Sequence, residues 1–272
     1  STWRQSQVGV VPISHTRDVV GPMARTVGDV VLLNQVLGGG RILGDWSLNG
    51  VRLGLAKPLT EGLSPEVATA FDAALARLEA AGAILVDVDM GDIVARTQAA
   101  GFPIALHEAK TDLTAFLAEH QPETSIETLA ERIASPDVKG LFANAILGAD
   151  AVPEAVYEEA IGAVDGIRAD YIALLNEADV DALIFPTTVM EAQSVEAASE
   201  TVSLNGETMP TFPTFIRNTD PASIYGAPGL SLPMGLTEGG LPVGLELDGR
   251  PDGDIDLLTI GLAVEAALRG AR

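Results

Sequence analysis

Three residue types that can together carry nucleophilic catalysis lie within one short stretch, at Ser14, His15 and Asp18. A Ser–His–Asp triad needs the imidazole to lie between the hydroxyl and the carboxylate in space. Adjacent residues of an extended segment point to opposite faces, so the side chains of Ser14 and His15 diverge. We therefore expect no local triad. We interpret Ser14 as a hydrogen-bonding support for the backbone around it.

Asp18 and Arg25 lie on either side of Gly21-Pro22. A carboxylate and a guanidinium that bracket a turn can form a bidentate pair, which would fix the loop. The alternative is an ordinary surface pair, which would contribute little. We expect Ser14, Asp18 and Arg25 to act as scaffold residues rather than in proton transfer.

Other residues with catalytic or ligating chemistry are sparse. The chain has no cysteine, which excludes disulfides, a thiol nucleophile and a thiolate metal site. The histidines at positions 15, 107 and 120 are too scattered for a typical metal site. The triplet at residues 38–40 follows a predicted helix and lacks the lysine of a phosphate-binding loop. We expect no metal and no organic cofactor.

The composition restricts the partners of the chain. The formal charge is −22 and the pI is about 4.3, which argues against nucleic acid because phosphate binding needs basic patches. The charge favours neutral or cationic small substrates, or solubility in a saline environment. No apolar run is long enough to span a membrane, and we expect a cytoplasmic protein.

The hydrophobic pattern predicts how these residues are positioned. A buried strand is expected from Val8 to Ile13, and a helix capped by Thr26 and Asp29 should bury Val27, Val30, Leu33 and Leu37. Strand 51–55, helix 64–82 and strand 83–88 predict a crossover between parallel strands. Residues 91–149 should be mostly helical, with breaks at Pro103, Pro122 and Pro136. A helix at 154–178 and a strand at 181–185 should follow. The segment at 189–216 should be irregular, with a tight turn at Asn205-Gly206, and the last predicted element is a helix at 254–269. The fold class is therefore α/β, a large mixed β-sheet flanked by helices.

One stretch carries a family resemblance. Residues 9–29 read GVVPISHTRDVVGPMARTVGD, which resembles the amidase signature text G-V-V-P-x-S-x-x-x-D-x-x-G-P-M-A-R-x-V-x-D at every fixed position. The resemblance implies a serine hydrolase of carboxamides that uses a lysine, a cis-peptide serine and a nucleophilic serine. All three lie upstream of this stretch in the family. We therefore expect residues 1–272 to be the C-terminal part of an amidase signature domain, with no catalytic residue in this chain.

A second block, at residues 217–262, is similar to the family's downstream text and most resembles the branch that hydrolyses aryl-acetamides. Matched positions imply five substrate-binding candidates: Pro186, Thr187, Asn218, Thr219 and Tyr225. Tyr225 could form a flat pocket wall or lie in the core. Glu246 stands where most family members have glutamine, and it could face the pocket or the solvent.

The resemblance implies hydrolysis of a small carboxamide by a serine that an upstream lysine activates through the cis-peptide serine. The expected partners are a small amide substrate and an N-terminal amidase half on the same or a separate polypeptide, and a homodimer is compatible with this interpretation. Three alternatives remain: an amidotransferase A-type subunit, a non-catalytic binding module derived from an amidase, and an unrelated α/β ligand-binding protein.

Overall fold

The computed structural model describes residues 1, 4–38, 40, 46–195 and 200–269. Part of the predicted glycine triplet and of the following loop, residues 39 and 41–45, lies outside the described residues. The helices are Val27–Val36 (α1), Pro65–Ala80 (α2), Ile93–His120 (α3), Ile126–Arg132 (α4), Pro136–Leu141 (α5), Glu154–Glu177 (α6), Thr211–Ile216 (α7), Ala222–Tyr225 (α8) and Asp254–Arg269 (α9), with a π-helical turn at Phe142–Ile146. The strands are Arg52–Lys57 (β1), Ile84–Asp89 (β2), Ala182–Pro186 (β3), Thr201–Leu204 (β4), Glu207–Pro210 (β5), Gly229–Leu236 (β6) and Pro242–Asp248 (β7).

Five strands form a mixed sheet in the order β2-β1-β3-β7-β6. β1 pairs in parallel with β2 and β3, whereas β7 is antiparallel to β3 and β6. α2 connects β1 to β2, so the predicted crossover is confirmed. β3 lies at the centre and buries all five of its residues, which explains why its sequence is a continuous apolar run rather than an alternating one.

Helices cover both faces of the sheet. On one face, α1, α2 and α9 pack over a core that includes Leu245 and Leu247 of β7. On the other face, α3, α6 and α8 enclose a second core around Phe185 and Tyr171. This arrangement confirms the predicted α/β class. Because side chains alternate along β7, the neighbours of its two leucines, Glu246 and Asp248, face the second core.

The helix-start signals were accurate. Ser64 accepts a hydrogen bond from the N–H of Val67 and caps α2, with Pro65 in the first turn. Thr26 accepts from the N–H of Asp29 and caps α1. The breaks at Pro122 and Pro136 are also confirmed, since one lies between α3 and α4 and the other begins α5.

The predicted strand from Val8 to Ile13 is wrong. Val8 and Gly9 form a turn, the rest of the stretch is irregular, and Val8 is 93% exposed. The physical reason is that no neighbouring strand pairs with them: Asp18 Oδ2 accepts the N–H of Ile13, and the N–H of Val10 donates to the carbonyl of Gln7. The predicted apolar stripe of α1 is only partly buried, because Val27 is covered by α9 while Leu33 and Leu37 are exposed.

Two other sequence predictions need correction. Pro103 lies inside α3, where it does not break the helix because the packing of α3 along α6 overrides the missing backbone N–H. The segment at residues 189–216 is not wholly irregular, since β4 and β5 form a hairpin and α7 follows. Its predicted turn is confirmed: Asn205 and Gly206 both have positive φ, as a tight hairpin turn requires. No helix of the described residues is long and apolar enough to cross a membrane.

Candidate functional site

A buried carboxylate holds the segment around Ser14 in place. Glu108, in the middle of α3, is 0% exposed. It accepts hydrogen bonds from the hydroxyl of Ser14 (2.5 Å), from the N–H and hydroxyl of Thr16 (3.1 and 2.5 Å) and from the hydroxyl of Tyr157 on α6 (2.9 Å). Burial opposes ionisation, but the donated hydrogen bonds outweigh it and lower the pKa of Glu108. One ionised carboxylate thus joins residues 14–16 to two helices.

His15 lies beside the same carboxylate. Its Nδ1 is 3.0 Å from Asp112 Oδ2 and its Nε2 is 3.3 Å from Glu108 Oε1. The carboxylate of Glu108 therefore lies between Ser14 and the imidazole, which is the wrong order for a nucleophilic triad. Ligand atoms of His15, Glu108 and Asp112 lie within 4.8 Å of one another, so these side chains could approach a metal ion. Because Glu108 already accepts four hydrogen bonds, we interpret the group as a hydrogen-bonded clamp.

Asp18 organises its own loop rather than pairing with Arg25. Its Oδ2 accepts from the N–H of Ile13 (2.7 Å) and of Ser14 (3.0 Å). The ion pairs found among the described residues do not include the predicted Asp18–Arg25 bridge. The carboxylate of Asp18 instead binds these two backbone N–H groups, which form no hydrogen bonds with a neighbouring strand. Arg25 is exposed, and its carbonyl accepts from Arg269.

Arg17 connects this loop to the rest of the site. Its guanidinium donates to the carbonyl of Gly101 on α3 (2.8 Å) and to the hydroxyl of Ser223 on α8 (3.1 and 2.8 Å). It also forms an ion pair with Asp220. The planar, multivalent donor set of arginine suits such a junction of three segments.

A cavity of about 340 Å³ opens beside Arg17. It lies between the loop at residues 17–22, the α7–α8 region, β6 and the first turns of α9. Thr219, Gly229 and Glu246 line it, together with Asn34 of α1, whose side-chain Nδ2 is buried without a hydrogen-bond partner in the described structure. A concave site with a few convergent polar groups is the usual form of a small-molecule site.

Two buried acids on β7 lie beside this cavity. Glu246 is 8% exposed and Asp248 is 1% exposed. Burial, followed by the neighbouring Asp248 carboxyl, raises the pKa of Glu246 to about 8. Burial also raises the pKa of Asp248 to about 7, although the hydroxyl of Tyr225, which donates to Asp248 Oδ2 at 2.5 Å, acts in the opposite direction. At neutral pH the pair therefore retains at least one proton.

The structure brings together only some of the predicted substrate-binding residues. The side chain of Asn218 is buried and donates to the carbonyl of Pro186 (2.7 Å), so both support the backbone next to Thr187. Thr187 forms a hydrogen bond with Ser231 at 2.6 Å, near the Glu246 end of β7. Thr219 lines the cavity.

Tyr225 lies in the core rather than in a pocket wall. It is 0% exposed and stacks on Tyr171 with 4.0 Å between ring centroids. It reaches the cavity only indirectly, by holding Asp248. Glu246 faces the cavity rather than the solvent, which decides between the two alternatives that the sequence left open.

Sequence reasoning missed Glu108, Arg17, Asn34 and Asp248. Glu108 and Arg17 act through partners far away in the sequence, so no local signal identifies them. Asp248 had a usable signal: in the run Leu245 to Asp248, acids alternate with buried leucines on a strand, which places two acids together on the opposite face.

Comparisons with known proteins show the family of the chain. The family profile described as Amidase matches residues 1–258, so the chain belongs to the amidase family. Mandelamide hydrolase of Pseudomonas putida is 36% identical over 270 residues, covering 96% of this chain and 52% of that protein. Indoleacetamide hydrolase of Agrobacterium vitis is 36% identical over 265 residues, covering 95% of this chain and 56% of that protein.

A solved structure described as the crystal structure of amidase superimposes with a TM-score of 0.79 at 29% identity, covering 97% of this chain and 56% of that one. The chain thus spans about half the length of the curated relatives it matches.

Glu108→Gln tests the carboxylate clamp. An amide cannot accept from all four donors, so we expect the free energy of unfolding to fall by about 1–3 kcal/mol. Amide hydrogen exchange at residues 14–18 should become faster, because this segment loses part of its attachment to α3. Chemical denaturation and exchange mass spectrometry measure the two effects. Glu119→Gln, an exposed position on the same helix, is the control. Equal stability of the two variants would contradict the clamp.

Glu246→Gln tests the electrostatic state of the β7 pair. A folded-state pKa raised to about 8 means that the folded chain binds more protons than the unfolded chain between about pH 4 and pH 8. Stability from this group therefore falls as the pH rises through that window. We expect the variant to gain stability relative to the natural chain from pH 5 to pH 8, by on the order of 1–3 kcal/mol.

Urea titrations at several pH values measure the difference in the free energy of unfolding between the variant and the natural chain. Glu108 and Asp254, whose lowered pKa values give the opposite pH dependence, are present in both proteins, so their contributions cancel in this difference. Glu158→Gln, on the exposed side of α6, removes the same formal charge and serves as the control. A difference that is constant across the pH range would show that Glu246 is ionised throughout.

Proposed function

We propose that this chain forms the scaffold and substrate wall of an amidase that hydrolyses a small, aryl-acetamide-like carboxamide to the acid and ammonia or an amine. The names of its relatives support the reaction class: a mandelamide hydrolase and an indoleacetamide hydrolase each match nearly the whole chain at 36% identity. The chain spans about half of each relative, so the activity of the whole protein is part of the proposal.

The observation that carries the proposal is an exposed apolar surface within the motif segment. Half of the exposed large apolar side chains of the described residues lie between positions 8 and 37: Val8, Val10, Val11, Ile13, Val19, Met23, Leu32, Leu33, Val36 and Leu37. An apolar surface of this extent favours coverage by another segment. In the proposal, the covering segment carries the nucleophilic serine, the cis-peptide serine and the lysine.

The proposal gives this chain's residues distinct roles. Ser14 and Asp18 keep the motif loop rigid through Glu108 and the backbone, so that the covering segment meets a preformed surface. Arg25 is exposed at the end of the loop and is available to that segment. Thr187 and Thr219 contact the substrate, while Pro186, Asn218 and Tyr225 hold the surrounding backbone and Asp248.

Chemistry at the scissile bond needs neither a metal nor an organic cofactor in this proposal. The lysine acts through the cis-peptide serine to remove the proton of the nucleophilic serine, which attacks the amide carbonyl. Backbone N–H groups of the covering segment stabilise the oxyanion. The amine leaves with a proton, and water hydrolyses the acyl-enzyme.

Ammonia release from phenylacetamide, mandelamide, indoleacetamide and, as a control, acetamide tests the proposal. The measurement compares the chain alone with the protein purified from its native cells. We expect the native preparation to hydrolyse the aryl-acetamides and to lose this activity with a serine-directed phosphonate. We expect the chain alone to release no ammonia. A native preparation that is inactive on every amide, or that resists the phosphonate, would contradict the proposal.

A further inference from the structure

The carboxyl pair on β7 has more hydrogen-bonding capacity than the fold uses. Glu246 and Asp248 point to the same side of the strand, and each is at least nine-tenths buried. Two of their oxygens, Glu246 Oε2 and Asp248 Oδ1, have no hydrogen-bond partner in the described structure. A buried polar atom without a partner carries a desolvation cost of about 1–3 kcal/mol, so two adjacent ones require an explanation.

A glycine, which has no side chain, lies between the pair and the cavity. Gly229 of β6 lies opposite Asp248 in the strand register, and both Gly229 and Glu246 line the cavity. A Cβ atom at position 229 would lie 2.9 Å from Glu246 Oε1 and 3.3 Å from Asp248 Oδ1. Any residue other than glycine would therefore place a methyl group or more against the two carboxyls.

The cationic groups that line the cavity already have acidic partners, whereas the pair on β7 has no cationic one. Arg17 pairs with Asp220, and Asp254 pairs with both Arg4 (3.0 Å) and the N-terminal ammonium of Ser1 (2.8 Å). The ion pairs of the described residues include none for Glu246 or Asp248. The unpartnered oxygens of the pair are thus carboxyl acceptors without an ion-pair partner, and a cationic donor would complement them.

We propose that Glu246 and Asp248 form a subsite for the primary ammonium group of a small ligand, which enters through the opening at Gly229. The ammonium group donates to Glu246 Oε2 and Asp248 Oδ1 and supplies the missing positive charge. An acceptor elsewhere on the ligand can use the free Nδ2 of Asn34. This inference rests on the proposed function, amide hydrolysis. Together they define the substrate class as small carboxamides that also carry a protonated amino group.

Binding of such a group should release a proton. The ammonium charge lowers the pKa of both carboxyls, so a pair that holds at least one proton at neutral pH gives it up. The other titratable groups facing the pair are Tyr225 from α8 and Tyr171 from α6, whose pKa values burial raises well above the ordinary value. Both tyrosines stay protonated at neutral pH. The released proton therefore comes from the carboxyls.

The test measures binding of benzylamine and of benzyl alcohol, its neutral counterpart, to this chain by isothermal titration calorimetry at pH 7. We expect benzylamine to bind about tenfold or more tightly than the alcohol. Titrations in two buffers of different ionisation enthalpy should show proton release with benzylamine and none with the alcohol. Equal affinity for the two compounds, or amine binding without proton release, would overturn the subsite.

Two variants locate the binding. Glu246→Gln should weaken benzylamine binding by about tenfold or more, and Gly229→Ala should do the same by closing the opening. The matched controls are Glu238→Gln in the β6–β7 turn and Gly28→Ala on the exposed side of α1, both of which should leave the affinity unchanged. Unchanged binding in Glu246→Gln would overturn the inference. No amide is hydrolysed in these measurements, so their outcome is independent of the ammonia-release test.

Discussion

The site depends on one buried carboxylate. Glu108 is ionised in the interior because four donors surround it, and three of them come from Ser14 and Thr16 in a loop that makes no strand pairing of its own. The N–H of His15, which donates to Asp112 of α3 at 2.7 Å, reinforces that anchor. With it, Arg17 is held within reach of α3 and α8, and the cavity has a defined wall. The clamp explains how an exposed, apolar motif segment can still present a fixed surface.

The two acids of β7, on the other side of the cavity, lack the donors that Glu108 has. Glu108 is buried and well supplied with donors, whereas Glu246 and Asp248 are buried and short of them. All three carboxyls are desolvated, but the donors keep Glu108 ionised, whereas the pair on β7 retains at least one proton at neutral pH. A fold that tolerates such a pair beside a cavity gains a recognition element whose protonation responds to what binds there.

Sequence reasoning succeeded where the determining contacts are local. Ser64-Pro65 marked the start of α2, the segment at 181–185 marked a buried strand, and the motif at residues 9–29 identified the family. It failed where contacts with residues distant in the sequence determine the conformation or the position of a side chain. The stretch from Val8 to Ile13 reads as a buried strand, yet its N–H groups are taken by Asp18 and by turns. The predicted Asp18–Arg25 pair failed for the same reason, and Tyr225 lies in the core because Tyr171, more than fifty residues away, stacks on it.

The most direct test of this account joins the part of mandelamide hydrolase that this chain does not match to residue 1, as an N-terminal fusion, and measures ammonia release from phenylacetamide. We expect the fusion to release ammonia, the separate halves to release none, and replacement of the serine that we propose as the nucleophile of the added half to abolish the activity. Hydrogen exchange at residues 8–37 should slow in the fusion. Activity of this chain by itself, or a folded fusion that protects residues 8–37 and yet releases no ammonia, would contradict the account.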